Sequence, residues 1–472
     1  MIRIQSPATR MAERNYIYDV IMRLFLGQSY EVQYEDRADL VLTLNHSSSG
    51  KLTMVDDFLG CSEEQWLRRE SLPAQPLQWV YTAGEPMPVL YGATTDLVST
   101  GCRRDQQGIN VCVDIFGSCF FMLTRYEEWV KTDRDVHGRF PVKASLAYQE
   151  GFLHRPIVNE YAEWLWHKLK LLWPSLERPR RQSRRMLSHD VDFAYYHDRR
   201  TSYRIVKDSA AELLRRKDIA SGWKKAQMLF PSKNQLRKDP FNTFDWLMDR
   251  SEELGLRSSF YMMAEVVNPQ WDGNYSIFEP KVRSLMRRIH RRGHEIGFHP
   301  TYDTMDDPQL FVKQFAMLKH VANEEGIVQK HWGGRQHFLR WRAKDSWKVW
   351  DEAGLDYDSS LAYPEMIGFR SGSCYEYPVF QLSLGRSLHL KERPLIVMDQ
   401  SMLESKYMDL SITEAAYEVQ QCYEQCMRYD GDFTMLWHNS QLVRPEHRHL
   451  YECCMDLFSS AYSSNERGLM SI

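Results

Sequence analysis

Residues 280–303 read PKVRSLMRRIHRRGHEIGFHPTYD, and this stretch decides the fold class. Proline at 280 suits the first helical position, where the missing N–H has no intrahelical partner anyway. Val282, Leu285, Met286 and Ile289 then recur at helical spacing along one face, and Gly293 stops the run. HEIGFH at 294–299 follows at once, a short apolar run that reads as a buried strand. A helix feeding straight into a buried strand is half of a parallel α/β unit.

The same alternation extends outward. Upstream, RMLSHD at 185–190 reads as a strand, 241–254 as a helix and SSFYMM at 258–263 as a strand. Downstream, Asp307 and Pro308 open a helix whose Phe311, Phe315, Leu318 and Ala322 are apolar, and Gly326 ends it. Strands near 327–332 and 355–361 flank a helix at 344–353. A strand at 394–399, a helix at 412–428, a strand at 432–437 and a closing helix near 445–460 follow. About seven strands separated by helices predict an α/β fold with a largely parallel sheet, barrel or doubly wound. Residues 193–240 break this order and read as a long, basic, helical insertion.

The run LLWPSLERPRRQSRR at 171–185 is rich in Pro and Arg and reads as a linker. It divides a smaller N-terminal α/β domain, 1–175, from a second domain, 185–465. Two domains also suit a chain of 472 residues. The N-terminal part combines strands at 40–44 and 110–118 with helices at 15–26 and 157–172 and holds no chemical motif. Its aromatic block DIFGSCFFMLTRYEE at 114–128 reads as core, with Arg125, Glu127 and Glu128 on a solvated helix face.

A formal net charge of −3 gives no reason to expect nucleic acid or an anionic membrane as partner. The nine cysteines include no CxxC pair and read as reduced thiols of a cytoplasmic protein. Charges run through the first 25 residues, leaving no visible secretory signal, and no apolar run reaches the length of a transmembrane segment.

In parallel α/β folds, functional groups gather at the carboxyl ends of the strands. Here those ends carry Ser188-His189-Asp190-Val191-Asp192, His299 with Tyr302 and Asp303 behind it, Arg335-Gln336-His337, Asp399, and Trp437-His438-Asn439. A single buried His or Asp is usually hydrogen-bonded core. Acids and histidines at five strand ends are harder to assign to packing. Asp190 and Asp192 are two apart and point to the same side of a strand. Such a pair serves as metal ligand plus base, as an acid/base pair, or as a turn cap. His438 follows the apolar FTMLW, and Asp399 on the preceding strand could orient and charge it. Arg370, in the Gly-flanked GFRSG loop, is a candidate for reaching substrate or for a surface salt bridge. Trp437 could stack on a sugar ring or pack.

Together these motifs resemble the polysaccharide deacetylases, the carbohydrate esterases that share the NodB homology domain, in order over 185–440. The resemblance implies a distorted (β/α)7 barrel. SHDVD resembles the first motif, making Asp190 the base and Asp192 a metal ligand. HEIGFHPTYD resembles the second, with His299 as a ligand and Asp303 where a second histidine is usual. RQHFLRW occupies the arginine motif, giving Arg335 the role of positioning the base, although the usual RxPY pattern is absent. His337 beside it is a substrate contact or a reserve third ligand. VMD implies that Asp399 tunes the final histidine, and LWHN implies His438 as general acid. The block at 114–128 ahead of such a domain resembles a two-domain bacterial subgroup associated with surface-polysaccharide biosynthesis.

The implied reaction is removal of the N-acetyl group from an amino sugar, with one divalent metal, expected to be zinc. The metal site is expected at Asp192, His299 and Asp303. Catalysis is expected from Asp190, His438, Asp399 and Arg335, and substrate contacts from His337, Arg370, Tyr302 and Trp437. The partner is then a small-molecule or carrier-linked N-acetyl sugar, with a homo-oligomer left open. Three alternatives stand beside this: a metal-free glycoside hydrolase built on Asp190 and a second carboxylate, an inactive sugar-binding module, and another amide hydrolase.

Overall fold

The structure is a computed structural model that describes residues 1–45, 50–82, 85–92, 101–196, 202–214, 219–226 and 235–459. The N-terminal part builds a six-stranded mixed sheet. Its strands are β1 (Ile2–Pro7), β2 (Tyr30–Glu35), β3 (Asp39–Leu44), β4 (Lys51–Val55), β7 (Cys102–Arg104) and β8 (Gly108–Val111), in the order β2-β1-β3-β4-β8-β7. A two-stranded ribbon, β5 (Gln78–Thr82) with β6 (Glu85–Val89), stands apart from it.

The second sheet positions the chemistry. Its strands are β9 (Arg185–Val191), β10 (Ser258–Met262), β11 (Glu295–Phe298), β12 (Gly333–Gly334), β13 (Tyr357–Asp358), β14 (Tyr377–Gln381), β15 (Arg386–Glu392), β16 (Val397–Met398) and β17 (Phe433–Leu436). Their order is β14-β15-β13-β12-β11-β10-β9-β17-β16. Eight run parallel, and β14 pairs antiparallel with β15. The central β10 is buried at every residue, as expected where helices cover both faces of a parallel sheet. The register aligns the carboxyl ends: Met262 pairs with Val191 and Phe298, Phe298 with Gly334, and Gly334 with Asp358.

The α/β class and the parallel sheet agree with the sequence reading, but the hydrogen-bonded order does not by itself confirm a distorted (β/α)7 barrel. It runs from edge to edge over nine strands and includes the β14–β15 hairpin, which no motif announced. The run at 110–118 also differs from expectation. Strand β8 ends at Val111, and Asp114 caps a helix, Ile115–Leu123, by accepting from Gly117 N at 2.8 Å. An apolar run without clear periodicity does not distinguish strand from helix, and here the cap decides.

Arg125, Glu127 and Glu128 are not a solvated face. All three are at most 2% exposed. The expected helical insertion contains helices Ser202–Leu214, Ile219–Ala226 and Gln235–Lys238, while 197–201, 215–218 and 227–234 lie outside the described residues. So do 460–465 at the end of the expected second domain. None of the nine cysteines forms a disulfide.

Candidate active site

Asp190 and Asp192 stand at the carboxyl end of β9, His299 directly after β11, and His337 three residues past β12. Aligned strand ends bring Asp192, His299 and His337 together, with one donor atom from each lying within 4.8 Å of the others and all three residues buried. Asp192 Oδ1 is 3.1 Å from His299 Nε2 and 3.4 Å from His337 Nδ1, and the two imidazole nitrogens are 3.1 Å apart.

The outer nitrogens define the tautomers. His299 Nδ1 donates to the carbonyl of Arg335 at 2.6 Å, and His337 Nε2 donates to that of Trp271 at 2.9 Å. A carbonyl only accepts, so each outer nitrogen carries a proton, and in the neutral imidazoles both inner nitrogens turn lone pairs inward. Two lone pairs and a carboxylate facing one another in a buried site repel unless a positive charge lies between them. Backbone carbonyls that orient ligating imidazoles in this way are the usual support of a metal site. The donor set, two imidazoles and one carboxylate, therefore fits a divalent cation. Burial raises the Asp192 carboxyl, but the positive charge of His337 and the hydrogen bonds from His299 and His337 outweigh it and hold it well below the usual carboxylate range; a bound cation would take the place of those protons.

Asp190 lies just outside this group, with Oδ2 3.9 Å from His299 Nε2. Arg335 Nη1 donates to Asp190 Oδ1 at 2.8 Å, and its remaining nitrogens are fixed by Ser359, through the carbonyl at 2.8 Å and Oγ at 2.9 Å. Across the group, His438 Nε2 faces Asp192 Oδ2 at 3.7 Å. His438 Nδ1 donates to Asp399 Oδ1 at 2.8 Å, and the His438 backbone N–H donates to Asp399 Oδ2 at 2.8 Å. Burial opposes charge on this imidazole, but Asp399 and Asp192 prevail and push its pKa up to about 10. His189, on the other side of β9, is the opposite case. Burial lowers it to about 4, and its Nδ1 donates to the Trp437 carbonyl, so it is neutral core.

Three expectations need correction. Asp303 is outside the three-residue group and accepts from Asn268 Nδ2 at 3.3 Å. Thr301 is extended (φ −66°, ψ 167°) ahead of the short helix Tyr302–Met305, so four residues past His299 do not return the chain to the same face. His337 occupies the third position instead. Arg370 does not reach for substrate. It is 1% exposed and grips Glu128 through Nε at 3.0 Å and Nη2 at 2.6 Å. Trp437 is fully buried and packs edge-on against Tyr451. Tyr302 is at the periphery of the site, stacked on Trp271 at 5.4 Å, with its hydroxyl bonded to His137 Nδ1 at 2.9 Å.

His137 and Trp271 carried no sequence signal. His137 comes from the N-terminal part, and Trp271 acts on His337 through a main-chain carbonyl. The backbone just past His337 is strained, with Phe338 at φ 58° and Leu339 at φ 51°. Arg139 Nη1 clamps the Phe338 carbonyl at 2.7 Å. Non-glycine residues hold such conformations where surrounding contacts over-determine them, which is common at functional sites.

Comparisons with known proteins add little to this geometry. A family of unknown function, DUF7033, matches residues 2–174. No curated protein matches the chain. A crystal structure from Mycobacterium smegmatis, described provisionally as a polysaccharide deacetylase, aligns with 60% of this chain and 87% of its own, at 16% identity and a TM-score of 0.39. Overlap that low carries no argument for fold or activity. Among the described residues, no helix is long and apolar enough to cross a membrane.

Proposed function

We propose that this protein is a metal-dependent hydrolase that removes the acetyl group from an N-acetylated amino sugar, a precursor or intermediate of bacterial surface polysaccharide. The reading rests on one observation above all: Asp192, His299 and His337 turn their donor atoms on one point while backbone carbonyls hold both outer imidazole nitrogens. The order of the surrounding motifs, which resembles that of the NodB-type deacetylases, supports the choice of reaction. Two imidazoles and a carboxylate suit zinc. A zinc ion held there would lower the pKa of a bound water and polarise the acetamide carbonyl.

The chain's own groups supply the proton transfers. Asp190 Oδ2, on the side of the carboxylate away from Arg335 Nη1, takes the proton of the attacking water. Arg335 keeps Asp190 in one orientation. His438, charged by Asp399, carries a proton on Nε2 and delivers it to the departing amine. The N-terminal part, a domain of 1–175 in this reading, contributes His137 to the periphery of the site, and a cytoplasmic setting suits a small-molecule or carrier-linked N-acetyl sugar.

Metal analysis of the purified protein, with acetate release measured over nucleotide-linked N-acetyl sugars, tests this directly. Zinc near one per chain and acetate release lost in Asp190→Asn with the metal retained are the expected results. A protein that binds no divalent ion, or an Asp192→Asn variant with full metal content and rate, would overturn the assignment.

A further inference from the structure

Residues 193–240 hold twelve Lys and Arg against five Asp and Glu, a net charge of +7 in a chain whose total is −3, leaving −10 on the rest. Within this segment, helices Ser202–Leu214 and Ile219–Ala226 pack against each other. A Cβ on Gly222 would lie 3.2 Å from Leu213 Cγ and from the Ser209 carbonyl, so the two backbones approach closely on that side. The exposure of the pair is unusual for a soluble surface: Leu214 is 81% exposed, Ile219 70%, Trp223 64%, Val206 51% and Leu213 45%. Five large apolar side chains on one helical pair are more than the scattered single residues of ordinary surfaces.

The segment is rooted beside the site. Asp239 Oδ1 accepts from the N–H of Tyr196 and of Phe241, both at 2.9 Å, which ties its two ends together. Asn439, next to His438, donates from Nδ2 to the carbonyls of Phe193 and Phe241, both at 2.9 Å.

We infer that this helical pair is a docking surface for an anionic lipid bilayer. Exposed Leu, Ile and Trp interleaved with Lys and Arg are what an interfacial helix presents, with apolar side chains in the acyl boundary and cations at the headgroups. A second copy of the chain fits poorly, because it would bring together two segments that each carry a net +7 in sequence.

Co-sedimentation of the full chain with phosphatidylcholine vesicles, with and without phosphatidylglycerol, tests the inference. Binding is expected to the anionic vesicles, at least about tenfold tighter than to the neutral ones, and to weaken as salt rises. The combined Leu214→Ser, Ile219→Ser and Trp223→Ser variant should lose at least about tenfold in vesicle binding. Its unchanged circular dichroism and melting temperature would show that the fold survives. Should that variant misfold, Lys207→Glu with Arg237→Glu changes only charge and should weaken anionic binding alone. No preference for anionic vesicles, or equal binding by the folded triple variant, would overturn the inference. Concentration-dependent self-association that the triple variant abolishes, without vesicle binding, would also overturn it and assign the face to a second copy.

Discussion

At the residue scale, the identity of the third donor is the most exposed feature of the site. His337 Nδ1 meets His299 Nε2 at 3.1 Å, whereas Asp303 is held by Asn268 outside the group. His337→Ala should therefore weaken metal binding by more than the roughly 10–100-fold that loss of a supporting partner costs. Asp303→Asn should leave metal content unchanged. Titration with a competing chelator checks both variants, and the reverse ranking would return Asp303 to the ligand set.

Asp399 allows a pH test. His438 has its pKa pushed up to about 10, so its imidazolium is present through neutral pH and is lost as pH rises through that value. A cation on Asp192 cancels part of this support and moves the loss to lower pH. In Asp399→Asn the nearest anion is gone while burial remains, so the alkaline limb of kcat/KM should move down by at least about one pH unit. A limb left in place would remove Asp399 from the acid's support.

At the scale of elements, the two-residue strand β12 has little tolerance. A Cβ on Gly334 would lie 1.8 Å from the Phe298 carbonyl, on the strand that delivers His299, and Gly334 also leads directly into Arg335. Gly334→Ala must push β11 and β12 apart. Overpacking of this kind costs about 1–3 kcal/mol, which urea midpoints should register together with lost metal affinity. The turn after His337 is the second sensitive element. Its left-handed Phe338 and Leu339 are held in part by Arg139 from the N-terminal part.

At the scale of the whole molecule, the two parts of the chain are joined by buried charge. Glu128 lies between Arg125 and Arg370, all at most 2% exposed, with Arg125 Nη2 also 3.2 Å from the Tyr363 hydroxyl. Burial would raise the Glu128 carboxyl, but Arg370 and Arg125 hold it below the usual range, so it stays ionised. Glu128→Gln leaves the buried Arg370 without its anion and Arg125 with Glu127 alone, and should cost about 3–5 kcal/mol, read as a lower unfolding midpoint. The cation tests the same scale from the other side. Metal at a hundredfold excess over its Kd adds about 2.7 kcal/mol to stability. Chelation should therefore lower the melting temperature reversibly, and an unchanged melting temperature would count against a site that spans β9, β11 and β12.

Alternating periodicity and strand-end placement are local properties. The sequence by itself therefore determined the α/β class and set Asp190, Asp192, His299, Arg335, Asp399 and His438 at the ends of strands. It could not choose between Asp303 and His337, because that choice turned on an extended Thr301 and on a strained turn held by residues far away in the chain. The burial of Arg125, Glu128 and Arg370 was equally hidden. Charged residues read as solvated until a partner more than two hundred positions distant compensates their desolvation, and only the tertiary structure supplies that partner.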